Sequence, residues 1–122
     1  MPPGPIAAGA SRNVVIVGDL TVGGTLNQGG EPTCVVPAEA AGVFINVVAV
    51  GGEGFGHLIA YPFGSTLPLA STLNFAPGQT IANGVLVPIC SPSISSCPFH
   101  LTLTMGPAAA HVVIDVTGYV AP

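Results

Sequence analysis

Apolar and polar positions along this chain follow a period of two far more often than a helical period. Residues 99–105 alternate cleanly: Phe99, Leu101, Leu103 and Met105 fall on one face, His100, Thr102 and Thr104 on the other. That spacing predicts a strand with the first set inward and the second outward. Residues 111–119 repeat the pattern, with Val112, Ile114 and Val116 on the core side. The longest run, residues 43–50, differs in kind. Val43, Ile45, Val47 and Ala49 line one face, and Phe44, Asn46, Val48 and Val50 line the other. Both faces are mainly apolar, so both are expected to be covered, one by the core and one by something else.

Shorter β-branched runs occur at residues 14–17, 20–22, 34–36, 57–61, 71–75 and 81–87, separated by glycine, proline and asparagine. These breakers leave no window long enough for a helix. The alanine-rich stretch 38–41 is too short to hold one by itself. Several short strands at this spacing predict an all-β fold, an antiparallel β-sandwich with a small barrel as its competitor. Residues 27–32 read as a linker. They divide the chain into an extended N-terminal β arm, residues 1–30, and a sandwich body, residues 31–122. Val14, Val15, Ile16, Val17, Leu20, Val22 and Leu26 give the arm its strand character. Such an arm can add a strand to a neighbouring copy or pair within its own body.

Charge changes the picture more than any motif does. The chain has 122 residues, suited to one domain. Its charged side chains are Arg12, Asp19, Glu31, Glu39, Glu53 and Asp115, and it has no lysine. An ordinary domain of this length carries roughly 30 charges. A surface this poor in charge offers weak protection against association. A single basic residue excludes phosphate recognition and so argues against nucleic acid, and against an anionic membrane surface. No apolar run approaches a membrane span. Residues 1–10 lack the basic and long apolar segments of a secretory leader.

Of the three cysteines, Cys90 and Cys97 flank a serine- and proline-rich loop and are expected to form a disulfide, which suits an oxidising compartment. A closed loop this short contributes about 2 kcal/mol. Cys34 is left over, as a buried thiol or a link to another subunit.

Candidate chemistry is sparse. Without lysine, P-loop and Schiff-base chemistry are excluded, and no Gly-x-Ser-x-Gly elbow occurs. Glu53 sits in a Gly-rich turn, residues 52–56, with no basic partner. The histidines His57, His100 and His111 have no metal-ligand spacing, and His111 and Asp115 lie too far apart along one strand to share an ion. Asp115, in an apolar strand, is expected to be a buried structural acid, and Asn46, Asn74 and Asn83 to fix turns and strand ends. Tyr61 and Tyr119 read as edge residues of the core rather than a sugar platform. No catalytic, cofactor or metal residue is assigned, and the chain is not expected to be an enzyme.

From residue 34 to 122 the chain resembles a small β-sandwich module of secreted and cell-surface bacterial proteins. The resemblance rests on Phe44-Ile45-Asn46-Val47, on residues 56–62 ending in Tyr61-Pro62, and on Ser71-Thr72-Leu73-Asn74-Phe75. It continues through Gly78-Gln79-Thr80 with Ala82-Asn83 and Val87-Pro88, and ends in His111-Val112 with Asp115-Val116 and Gly118-Tyr119. The resemblance implies a sandwich without a catalytic role, usually appended to a secreted enzyme or surface protein. The chain departs from the pattern by inserting Cys90 to Cys97 at a plain hairpin turn and by carrying no enzyme domain beside it. Residues 18–27 are similar to phrases in trimeric fibres and phage tail fibres.

These readings converge on a structural subunit of a self-assembling extracellular filament, fibre or surface layer, held by strand exchange and apolar packing against copies of itself. The alternatives are a cell-wall or polysaccharide binding module, and a phage fibre or capsid-decoration protein placed on a virion.

Overall fold

The structure, a computed structural model, describes residues 4–19, 35–91 and 97–121. Among these residues the strands are β1 (Ser11–Val14), β2 (Gly18–Asp19), β3 (Val35–Val36), β4 (Gly42–Val50) and β5 (Gly56–Pro62), followed by β6 (Leu73–Phe75), β7 (Ile81–Pro88), β8 (Leu101–Gly106) and β9 (His111–Val120). They form two antiparallel sheets, ordered β1-β8-β5-β6 and β7-β4-β9, with β2 and β3 paired as a short ribbon. The fold is a β-sandwich. Each sheet keeps two edges, so the closed barrel is set aside.

Strand β4 is central to its sheet because its sequence has no polar face. It pairs with β7 from Gly42 to Ala49 and with β9 from Gly42 to Val50, with a register shift between Phe44 and Ile45. Its inward set Val43, Ile45, Val47 and Ala49 is essentially inaccessible. Leu58 of β5 and Leu101, Leu103 and Met105 of β8 oppose it from the other sheet, equally buried. Burying a side chain of this size contributes about 1.5–3 kcal/mol.

The leading segment joins this core. Strand β1 pairs antiparallel with β8, Ser11 opposite Thr104 and Val14 opposite Leu101. Ile6 exchanges backbone hydrogen bonds with Ala110 at 2.9 and 3.3 Å. Ile6, Val14 and Ile16 are all core residues. The boundary drawn at residue 30 therefore does not separate residues 4–19 from the body. Arg12 holds the turn-back by donating to the carbonyls of Gly4 and Pro5, each at 3.1 Å.

Two local expectations are corrected. The strand read at residues 14–17 lies at Ser11–Val14 instead, and the Gly18–Asp19 break is a two-residue strand paired with Val35–Val36. Of the set expected outward in residues 99–105, His100 and Thr102 are buried and Thr104 is half-buried. Both changes have one cause, given below: His100 and the polar side chains of β8 hold the leading segment.

The Gly-rich connection after β4 is packed closely rather than loosely. A β-carbon on Gly52 would lie 2.5 Å from the Phe75 ring, and one on Gly56 2.6 Å from the same ring. Phe75 is buried between them. Turn conformation alone would not demand glycine at these two positions; the close approach of the ring does. Gly56→Ala is expected to cost about 1–3 kcal/mol in urea unfolding through overpacking. Adding Phe75→Leu should recover part of that loss. Equal stability of Gly56→Ala and wild type would refute the packing argument.

Candidate interaction surface

The two sheets present outward faces of opposite character. On the β1-β8-β5 face, hydroxyls and amides satisfy one another. Thr102 Oγ1 donates to Asn13 Oδ1 at 2.9 Å. Thr104 Oγ1 shares hydrogen bonds with Ser11 Oγ at 2.7 Å and with the Tyr61 hydroxyl at 3.0 Å. Cross-strand Thr and Ser pairs of this kind stabilise a sheet by about 0.2–1 kcal/mol each. They also seal its surface without charge.

His100 closes the end of this face. Its Nδ1 accepts from the backbone N–H of Ile16 at 2.9 Å and of Val17 at 3.1 Å. The backbone N–H of His100 donates to the Val14 carbonyl at 3.0 Å, and its backbone carbonyl accepts from the N–H groups of Cys90 and Phe63. The imidazole takes the place of a strand neighbour for residues 16–17, which is why β1 stops at Val14. Burial pushes the His100 pKa below its ordinary 6.5, and an Nδ1 that accepts two hydrogen bonds must be unprotonated.

The residues carrying the family resemblance have internal duties. Ser71 Oγ donates to Asn74 Oδ1 at 2.8 Å, and Thr72 Oγ1 accepts from the Ala60 N–H at 2.8 Å. Gln79 Oε1 accepts from the Ala76 N–H at 2.9 Å, and Asn83 Nδ2 donates to the Thr72 carbonyl at 2.9 Å. The Gln79 bond fixes the turn between β6 and β7, and the Asn83 bond ties β7 in one sheet to the segment leading into β6 in the other. Asn74 and Asn83, expected at turns or strand ends, lie within β6 and β7 and bond to Ser71 and to the Thr72 carbonyl from there. Asp115 is exposed, opposite Asn46, and is not a buried acid. Its side chain shares the outer side of β9 with Val113.

The outward face of β7-β4-β9 has no such network of hydroxyl pairs and mixes exposed His111, Asp115 and Thr117 with apolar side chains. Phe44 is 45 % exposed, Leu86 52 % and Val113 48 %. Phe44 lies opposite Leu86 on β7, and Val48 opposite Val113 on β9, so the apolar positions run across all three strands. The half-covered second face of β4, read from the sequence as needing a partner, is exposed to solvent in the single chain. Beside the β7 edge lies an open groove of about 470 Å³. It exists because β6 pairs only with residues 56–58 of β5, leaving the later part of β5 facing β7 across a gap. Pro62, Pro68, Thr72, Val85 and Val87 are among its walls.

Cys90 and Cys97 form the expected disulfide. Of the arm residues, Val14 and Ile16 are core, and Val15 and Val17 are half-buried beside them. Leu20, Val22, Leu26 and Cys34 lie outside the described residues. His57, His100 and His111 do not converge, and among the described residues no group of His, Cys, Asp and Glu has the arrangement of a metal site. Tyr119 sits half-exposed at the end of β9. The buried role of His100 carried no sequence signal, since its position in the alternation pointed outward. Fold and surface together define a small disulfide-containing β-sandwich module with one sealed and one unsealed sheet. Comparison with known proteins returned no matching family model, no matching curated relative and no matching solved structure.

A group held below its ordinary pKa in the folded chain binds protons more readily once unfolded. Folding stability is therefore fully present above pH 6.5 and is lost as pH falls from there through the lower folded value. Thermal unfolding between pH 7.5 and 5 is expected to show this decline. His100→Asn, whose Oδ1 can accept at the same position, should flatten it, and His100→Phe should destabilise at every pH. An unchanged pH profile in His100→Asn would contradict the assignment. Reduction of the Cys90–Cys97 bond is expected to cost about 2 kcal/mol, read as a lower urea midpoint in reductant.

Proposed function

We propose that this chain is a non-catalytic structural subunit that assembles with copies of itself into an extracellular filament, fibre or surface layer. The observation that carries the reading is the unsealed β7-β4-β9 face, where Phe44, Leu86 and Val113 stand exposed, one on each of three strands. Contiguous exposed apolar patches on a small protein mark interaction sites. The near absence of charge removes the repulsion that normally keeps identical molecules apart.

The mode of contact we infer is sheet packing rather than exchange of the leading strand, because residues 11–14 already occupy an edge of their own sheet. The disulfide fits an oxidising setting and supports an extracellular placement. Among the described residues no helix is long and apolar enough to cross a membrane. The glycan-binding reading has less support, since Tyr61, Thr72 and Asn83 direct their polar groups into internal hydrogen bonds.

Sedimentation of the purified chain at neutral pH should reveal species larger than a monomer that grow with concentration. Val113→Asp, placed at an exposed position on the unsealed face, should weaken that growth about tenfold or more. A wild type that remains monomeric at millimolar concentration would end this reading.

A further inference from the structure

Residues 15–17 join two ladders of unequal length, and His100 holds the joint. Before it, β1 pairs with β8 through residues 11–14. After it, β2 pairs with β3 through Gly18 and Asp19 alone. Between the two ladders, the N–H groups of Ile16 and Val17 point at one atom, His100 Nδ1. Ile16 is a fully buried core residue. A nitrogen that accepts both bonds must keep its lone pair, so the ring hydrogen sits on Nε2. A proton added at Nδ1 turns the acceptor into a third donor. Three N–H groups then converge with nothing to accept them, around a buried charge.

The His100 side of this contact is the more firmly held. Its backbone N–H donates to the Val14 carbonyl, and its carbonyl accepts from Cys90 at 2.9 Å and from Phe63 at 3.2 Å. Phe63 also packs its ring on that of Phe99, the residue before His100, at 5.6 Å. Relief therefore falls on residues 15–17.

The described ionisable side chains on the surrounding elements are engaged elsewhere. On β1, Arg12 donates to the carbonyls of Gly4 and Pro5. On β5, the Tyr61 hydroxyl is bonded to Thr104. His57 lies against Gly106, at the far end of β8. Cys90 is in the disulfide. Glu39, in the turn that receives the Ser91 hydroxyl, is exposed. Burial lowers the His100 pKa, and among the described side chains no carboxylate offsets it.

We propose that His100 is an acid-operated latch: protonation at Nδ1 releases residues 15–17 and bares Ile16, while β1 and both sheets stay folded. The proton comes from solvent and returns to it when pH rises, so release is reversible. The event differs from a loss of overall stability in being confined to one joint. It does not depend on how copies of the chain associate, and the self-assembly reading does not depend on it.

The test is a nuclear magnetic resonance titration of the full, oxidised chain from pH 7.5 to 4, following the His100 ring and the backbone amides. As the ring titrates, the Ile16 and Val17 amides are expected to move to unstructured shifts. Their hydrogen exchange should then come within about tenfold of an unstructured peptide. Val47 and Leu103 should keep native shifts and slow exchange. His100→Asn, which retains an acceptor and does not titrate, should keep Ile16 and Val17 native throughout. Three results overturn the latch: Ile16 and Val17 amides that stay native after the ring has titrated, all four amides lost together, or the same release in His100→Asn. A ring that does not titrate above pH 4 overturns it as well. Should His100→Asn fail to fold, the wild-type titration by itself still decides.

Discussion

Hydrogen-bond satisfaction without ionic groups is the constraint on which this sandwich depends. A chain with one arginine and no lysine cannot cover its sheets with solvated ammonium groups and carboxylates. Each buried or half-buried polar group must instead find a neutral partner. The described residues meet that demand fully: no inaccessible side-chain nitrogen or oxygen lacks a hydrogen bond. The means are hydroxyl pairs along β8, amide side chains across the sheet-to-sheet passage, and one neutral imidazole. Because neutral hydrogen bonds contribute little each but cost much when left unmade, these groups specify the fold more than they stabilise it.

His100 shows how such a bond can redirect an element. Residues 14–17 are four β-branched side chains in a row, and propensity alone would extend the strand through them. The imidazole competes for the amides of Ile16 and Val17. Once they are taken, the chain leaves the β8 edge and reaches β3. The less favourable Ser11, Arg12 and Asn13 become the strand because their partners on β8 are Thr104 and Thr102, and the ladder satisfies Ser11 and Asn13.

The same economy leaves the two sheets unequal. Thr and Ser on β8 and β1 can seal one face, whereas β4 offers only Asn46 among Phe44, Val48 and Val50 on its outer side. With β7 supplying Leu86 and β9 supplying Val113, the second face keeps exposed apolar side chains beside Asp115 and Thr117. Phe44, Leu86 and Val113 therefore stay exposed on the sheet that lacks hydroxyl pairs.

The all-β class, the main strands β4, β5, β7, β8 and β9, the inward set of β4 and the Cys90–Cys97 pair were legible from alternation, breakers and spacing. So was the mainly apolar character of both faces of β4. These are local or periodic properties, written into neighbouring residues. The resemblance motif was visible as residues, but its bonding was not, for Thr72 and Asn83 act through partners that only the folded chain brings near. The docking of residues 4–19 into the body, the buried setting of His100 and the groove left by a short β6 were likewise decided by tertiary structure. Each depends on which strand edge lies beside which, and pairing between segments nearly a hundred residues apart leaves no periodic trace in either one.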